Sequence, residues 1–176
     1  MKNKKIIYIT SGIVALSLSG YLIFNQWNKE NLTIEEKSVV PQAGVVIPVI
    51  EVDEKRTEPI EIEFPSSMSE YAVQNAIHGM SHQKVKAEDK WGFIPMTHDR
   101  INRLIEVVET SSNNYISATV YLDILNRWSN NDFSRVDKDH NAIWDLQEGV
   151  VGRATGVFTF EEEKEFIKEH FKIENE

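Results

Sequence analysis

Cysteine is absent from all 176 residues. That absence excludes disulfides, thiolate nucleophiles, cysteine-ligated zinc and a lipid-modified cysteine behind the first apolar segment, so the fold must rest on its packed core. Glycine and proline are scarce, at 8 and 5. Cationic residues are outnumbered: three of the 19 Lys and Arg (Lys2, Lys4 and Lys5) stand in the first 27 residues, and all 28 Asp and Glu follow them. A domain this acidic is a poor match for nucleic acid or an anionic bilayer surface, so no nucleic-acid partner is expected. The chain also lacks a Gly-x-Ser-x-Gly nucleophile elbow and a phosphate loop ending in Gly-Lys-Ser/Thr.

What is present begins with an uncharged run from Ile6 to Phe24, preceded by residues 1–5 as a basic tail. As a helix it would span about 28 Å, close to the hydrocarbon thickness of a bilayer. The lysines before it predict a cytoplasmic amino terminus, with everything after it extracytoplasmic. An uncleaved single-pass anchor in the cell membrane through residues 6–24 is favoured over a cleaved signal peptide, because apolar residues continue past Ser17-Leu18-Ser19. Residues 25–65, acidic and holding Pro41, Pro48, Pro59 and Pro65, read as an extended linker. Within it, the β-branched stretch Val39–Asp53 is costly to leave in water and could dock as a hairpin, and Pro59–Phe64 alternates as an edge strand would.

From residue 66 to 176 helical punctuation dominates, and the spacing predicts an all-α bundle of about five helices. The segment SSMSEYAVQNAIHG opens on serines and stops at Gly79, with Met68, Tyr71, Ala72, Ala76 and Ile77 on one face. Thr97 caps a segment with Ile101, Leu104, Ile105 and Val108 inward. A third segment places Ile116, Val120, Ile124 and Trp128 on one stripe. Asn131 or Asp132 caps a fourth that ends at Gly149. Thr159 and Glu162 form a capping box for a fifth, striped by Phe166, Ile167, His170 and Phe171.

Two patterns carry candidate chemistry. Asp137, Asp139, Asn141, Asp145 and Glu148 fall at ligand positions 1, 3, 5, 9 and 12 of a calcium loop. Ala142 stands where that loop needs glycine, however, and Gly149 stops the helix that should follow. A plain helix with the stripe Phe133, Val136, His140, Ile143 and Leu146 explains the same residues. The second pattern is His78-x3-His82, whose rings share one side of a helix as in a zinc site. Gly79 interrupts it, no HExxH glutamate accompanies it, and a third ligand would have to come from His98, His140, His170 or an acid. His140, alone on an apolar stripe, reads as a core histidine satisfied by one hydrogen bond.

At IHGMSHQKVKAEDKWGFI (Ile77–Ile94) and DHNAIWDLQEGVVGRATG (Asp139–Gly156) the chain resembles a family catalogued only as a domain of unknown function. The resemblance implies small membrane-anchored extracytoplasmic proteins of low-GC Gram-positive bacteria. It covers Ser66 to Lys172 and supplies no activity, cofactor or catalytic residue. The reading favoured by the sequence is a non-catalytic binding or accessory module with a protein partner and no cofactor. Its candidate surface comprises His78, His82, Gln83, Lys84, His140, Asn141, Trp144 and Arg153. Two alternatives stand beside it. One is a calcium or zinc domain using Asp137, Asp139, Asn141, Glu148, His78 and His82. The other is a cell-wall polymer hydrolase with paired carboxylates.

Overall fold

The computed structural model describes residues 32–40 and 46–174. The run Ile6–Phe24, the tail before it and the start of the expected linker lie outside the described residues. Among the described residues no helix is long and apolar enough to cross a membrane.

The expectation of an all-α bundle is corrected to a mixed α/β fold. Leu32–Val39 (β1) and Ile47–Glu54 (β2) form an antiparallel hairpin, with Leu32 opposite Glu54 and Val39 opposite Ile47. Pro48 is tolerated because both strands of a two-stranded sheet are edges. The β-branched residues that make an extended linker costly find cover here. Leu32, Ile50 and Val52 pack with Phe166 and Ile167 of the carboxy-terminal helix and with Phe171 just past its end. Pro59–Phe64 is not an edge strand either. Ile60–Glu63 make one helical turn (α1), entered through Pro59 at φ −58°, which proline supplies without strain.

Glu70–Ser81 (α2) is capped by the Ser69 side chain, which accepts from Ala72 N–H. It does not stop at Gly79. A Cβ there would lie 3.2 Å from Ile94 Cδ1, so this glycine serves a close approach inside the helix rather than an ending. The buried face is Val73, Ala76, Ile77 and Met80, while Tyr71 is 65% exposed. His98–Ser111 (α3), capped by Thr97, buries Ile101, Leu104, Val107 and Val108. After a 3-10 turn at Ser112–Asn114, Ala118–Ser129 (α4) buries Ala118, Tyr121, Ile124, Leu125 and Trp128. Ile116, read from sequence as part of that stripe, is 95% exposed, because the helix begins after it.

Val136–Leu146 (α5) buries Val136, Asp139, His140 and Ile143, and leaves Leu146 exposed. Neither Asn131 nor Asp132 caps it. Asp132 instead accepts from Ser134 in a turn, and Asn131 takes φ 58°. Val85–Lys86 (β3) and Gly156–Val157 (β4) pair antiparallel. Phe160–His170 (α6) carries the capping box of Thr159 and Glu162 as read from the sequence. The main core lies among α2, α3, α4 and α5, and α6 with the hairpin holds the second.

Candidate metal centre

Because α2 runs through Gly79 to Ser81 and His82 keeps helical dihedrals (φ −56°, ψ −28°), His78 and His82 project from one side of it, one turn apart. α5 packs against that side of α2 and brings His140 into the gap. The ring centroids lie 4.8 Å apart for His78 and His82, 4.4 Å for His78 and His140, and 5.4 Å for His82 and His140. One ring nitrogen from each lies within 4.8 Å of the other two. This is the only group of three or more potential metal ligands among the described residues.

The surrounding hydrogen bonds fix the tautomers of His82 and His140. Asn141 Nδ2 donates to Ala154 O at 3.0 Å, and its Oδ1 accepts from Ala154 N at 2.8 Å. Its amide is therefore held with oxygen toward His140, and His140 Nδ1, 3.1 Å away, must be the donor. Gln147 Nε2 donates to Asn75 Oδ1 at 2.7 Å, which turns Gln147 Oε1 toward His78 Nδ1 at 2.6 Å. His82 Nδ1 is 2.7 Å from the carbonyl oxygen of Gly92, which can only accept. His82 and His140 thus carry their protons on Nδ1 and lone pairs on Nε2. His78 Nε2 and His140 Nε2 face each other at 2.9 Å. With the His78 proton on Nε2 this contact is an N–H···N hydrogen bond; with it on Nδ1, beside Gln147, both lone pairs point at one place, where a cation would sit.

Electrostatics keep the rings neutral. Burial lowers His78 below its ordinary value, although Gln147 opposes it. Burial brings His82 down to about 3, against the Gly92 carbonyl and with help from the other two histidines and Lys90. Burial, followed by His78, brings His140 down to about 4. Neutral imidazole is the form that binds metal.

The cluster opens on one side. A pocket of about 240 Å³ is lined by Tyr71, Asn75, His78, His82, Asp89, Trp91, Gln147, Val151 and Gly152. The glycine-rich exit of α5 builds its wall. Glu148, not Gly149, takes the left-handed conformation at φ 54°. A Cβ on Gly149 would lie 2.4 Å from the Trp144 ring, and one on Gly152 (φ +84°) would lie 2.4 Å from Asp89 O. Only glycine lets this loop lie against both.

The other sequence candidates go elsewhere. Asp137 to Glu148 is not a loop, and its acids do not converge. Asp139 is buried, accepting from Arg127 at 2.7 and 2.9 Å and from Trp128 Nε1 at 3.0 Å. Asp145 pairs with Arg153. Gln83 and Lys84 are buried rather than on a surface, both held by Glu163, Lys84 at 2.6 Å. Trp144 carries Arg153 over its ring and donates to Val151 O. His98 begins α3, and His170 stacks with Phe93 and Phe166. The sequence named His140 only as one of several sources of a third partner for His78 and His82, and it missed Gln147, Asn75, Gly92 and Asp89 around the cluster. The available signal was His140 itself, a polar ring on an apolar stripe.

A family profile described as a family of unknown function (DUF6241) matches residues 77–168. No curated protein and no solved structure matches the chain.

Proposed function

Since the chain belongs to this family of unknown function, whose description brings no reaction with it, we propose from the site's geometry that the domain binds a transition-metal ion, zinc by its donor set, through His78, His82 and His140. The observation that carries the reading is the convergence of three histidines, one ring nitrogen of each within 4.8 Å of the other two, with His78 and His140 Nε2 2.9 Å apart and the Nδ1 of His82 and of His140 held as donors. Metal-ligating histidines commonly donate their other N–H to a carbonyl or carboxylate that orients the ring. His82 and His140 do so here, and Gln147 Oε1 stands 2.6 Å from His78 Nδ1 to receive the third.

Imidazole suits zinc and neighbouring first-row ions, whereas calcium requires oxygen ligands that this group does not offer. Zn–N bonds of about 2.0–2.1 Å in a tetrahedron separate the nitrogens by roughly 3.3 Å. The observed 2.9 Å pair and the third nitrogen within 4.8 Å bracket that distance, so small ring shifts complete the site.

The test is zinc titration of the chelator-stripped full chain by calorimetry and thermal melting. One equivalent of zinc is expected to bind and to raise the melting temperature. Stabilisation should reach about 2.7 kcal/mol at a hundredfold excess over Kd. His140→Ala should weaken binding at least ~100-fold. No uptake at micromolar zinc, or equal uptake by a variant lacking all three histidines, removes the proposal.

A further inference from the structure

Resting on that metal reading, we infer that the bound ion keeps one coordination position open to the pocket and there activates water to hydrolyse an uncharged carbonyl substrate, an ester or amide, with Asp89 as proton acceptor. Three protein ligands leave a tetrahedral ion one short, the pattern of catalytic rather than structural zinc. The group contains no fourth His, Asp or Glu among the described residues. Its geometry also has a direction. His140 is fully buried behind the cluster, whereas His78 and His82 line the pocket, so the unfilled position faces the cavity.

Three neutral ligands leave the ion its full double charge. That charge lowers the pKa of a bound water to near 7. Of the nine pocket-lining residues Asp89 is the only carboxylate, and it is exposed. The pocket therefore offers one acid, not the pair a glycosidase needs. Tyr71, Trp91 and Val151, all exposed, supply apolar walls for the part of the substrate beside the reacting carbonyl. Asp89 and the chain's formal charge of −9 disfavour phosphate esters. That argues for an uncharged substrate.

The step balances without any redox partner. The metal-bound water gives a proton to the Asp89 carboxylate, and its oxygen bonds to the carbonyl carbon as the π pair moves onto the carbonyl oxygen. Collapse restores the C=O bond and breaks the bond to the alkoxide or amine. That group leaves with the proton held by Asp89, so one water and one ester or amide give an acid and an alcohol or amine.

The experiment uses the full chain loaded in parallel with zinc and with cobalt(II), after metal stoichiometry has been measured. Azide should shift the visible bands of the cobalt form, reporting an open position. The zinc form should hydrolyse p-nitrophenyl acetate faster than the metal-free chain, with kcat rising through about pH 7. Asp89→Asn should lower kcat ~10-fold or more while zinc affinity stays unchanged. His140→Ala should abolish the metal-dependent rate. One equivalent of metal with cobalt bands indifferent to azide, or with no hydrolysis above the metal-free chain, overturns this inference and leaves the metal reading standing. Unchanged kcat in Asp89→Asn removes Asp89 from the step. Absence of metal uptake overturns both readings.

Discussion

Gln147 lines the pocket, and its side-chain amide bridges Asn75 and His78 at 2.7 and 2.6 Å. It holds His78 through Nδ1 and turns Nε2 toward the cluster, so in the metal reading it positions a ligand without being one. Replacing it with alanine should weaken zinc binding 10- to 100-fold, on the order found for outer-shell partners. Gln147→Glu keeps an acceptor in place and adds charge, making the imidazole a stronger donor, so zinc affinity should be held or raised. Calorimetric titration of both variants checks this; equal losses would mean that Gln147 matters only for packing. The same residues show why half of this site was legible. The His78–His82 spacing is visible in the chain, because a helical turn is a local property. Gly79 obscured it, since a glycine there looks like an ending until Ile94 is seen packed against it. His140 stands 62 residues from His78, and no periodicity on its own helix reveals what fills the groove opposite. The acidic pattern failed for the converse reason. Asp139 has the spacing of a ligand, but it is spent on Arg127 and Trp128, partners that only the packing of α4 on α5 supplies.

Helix starts divide the same way at the scale of elements. α2, α3 and α6 are capped by Ser69, Thr97 and Thr159, each serving an N–H three residues on, and all three starts could be read from the sequence. α4 has no such residue, since Ser117 makes no side-chain cap. The amides just ahead of it are satisfied by Glu70, from the opening turn of α2. Glu70 Oε2 accepts from Ile116 N at 3.0 Å, and Oε1 accepts from Ser117 N at 2.8 Å and from Tyr121 Oη at 2.8 Å. One carboxylate thus holds the turn that enters a second helix and places charge where the helix dipole favours it. Burial pushes the Glu70 carboxyl upward, yet the two amides and the Tyr121 hydroxyl together hold it below its ordinary value. A depressed carboxyl contributes stability above the unfolded-state value of 4.5 and loses it as pH falls through the lower folded-state value. Glu70→Gln should therefore cost about 1–2 kcal/mol at pH 7 and less as pH falls through the folded-state value. Urea unfolding across that range reads the difference, and a cost independent of pH would contradict a role for the charge.

The whole molecule depends on a segment that lies outside the matched family region. Residues 77–168 take in most of α6 but not the hairpin, although Leu32, Ile50 and Val52 cover the apolar side of that helix. The hairpin and α1 also neutralise a cation of the main domain. Arg100, 4% exposed, reaches Glu54 of β2 at 2.7 Å and Glu63 of α1 at 2.9 Å, and Arg56 joins both carboxylates at 2.7 Å. The fold boundary suggested by the helical pattern, at residue 66, cuts through both arrangements. Pattern could not show this, because the β-branched run and the charges it serves are distant in sequence and meet only in the folded chain. A fragment beginning at residue 66 should expose Phe166, Ile167 and Phe171 and remove both carboxylate partners of Arg100. Ile50→Ala in the full chain, which removes one contact and no charge, should cost about 2–5 kcal/mol. α6 carries the consequence inward: its Glu163 holds Lys84 and Gln83, the residues directly after His82. Loosening α6 therefore frees the end of α2 that presents a metal ligand. The residue-66 fragment should melt lower and less cooperatively than one beginning at residue 32, bind an apolar dye and take up zinc more weakly. Coincident melts and equal zinc affinities for the two fragments would show that the hairpin only rests on the domain instead of completing it.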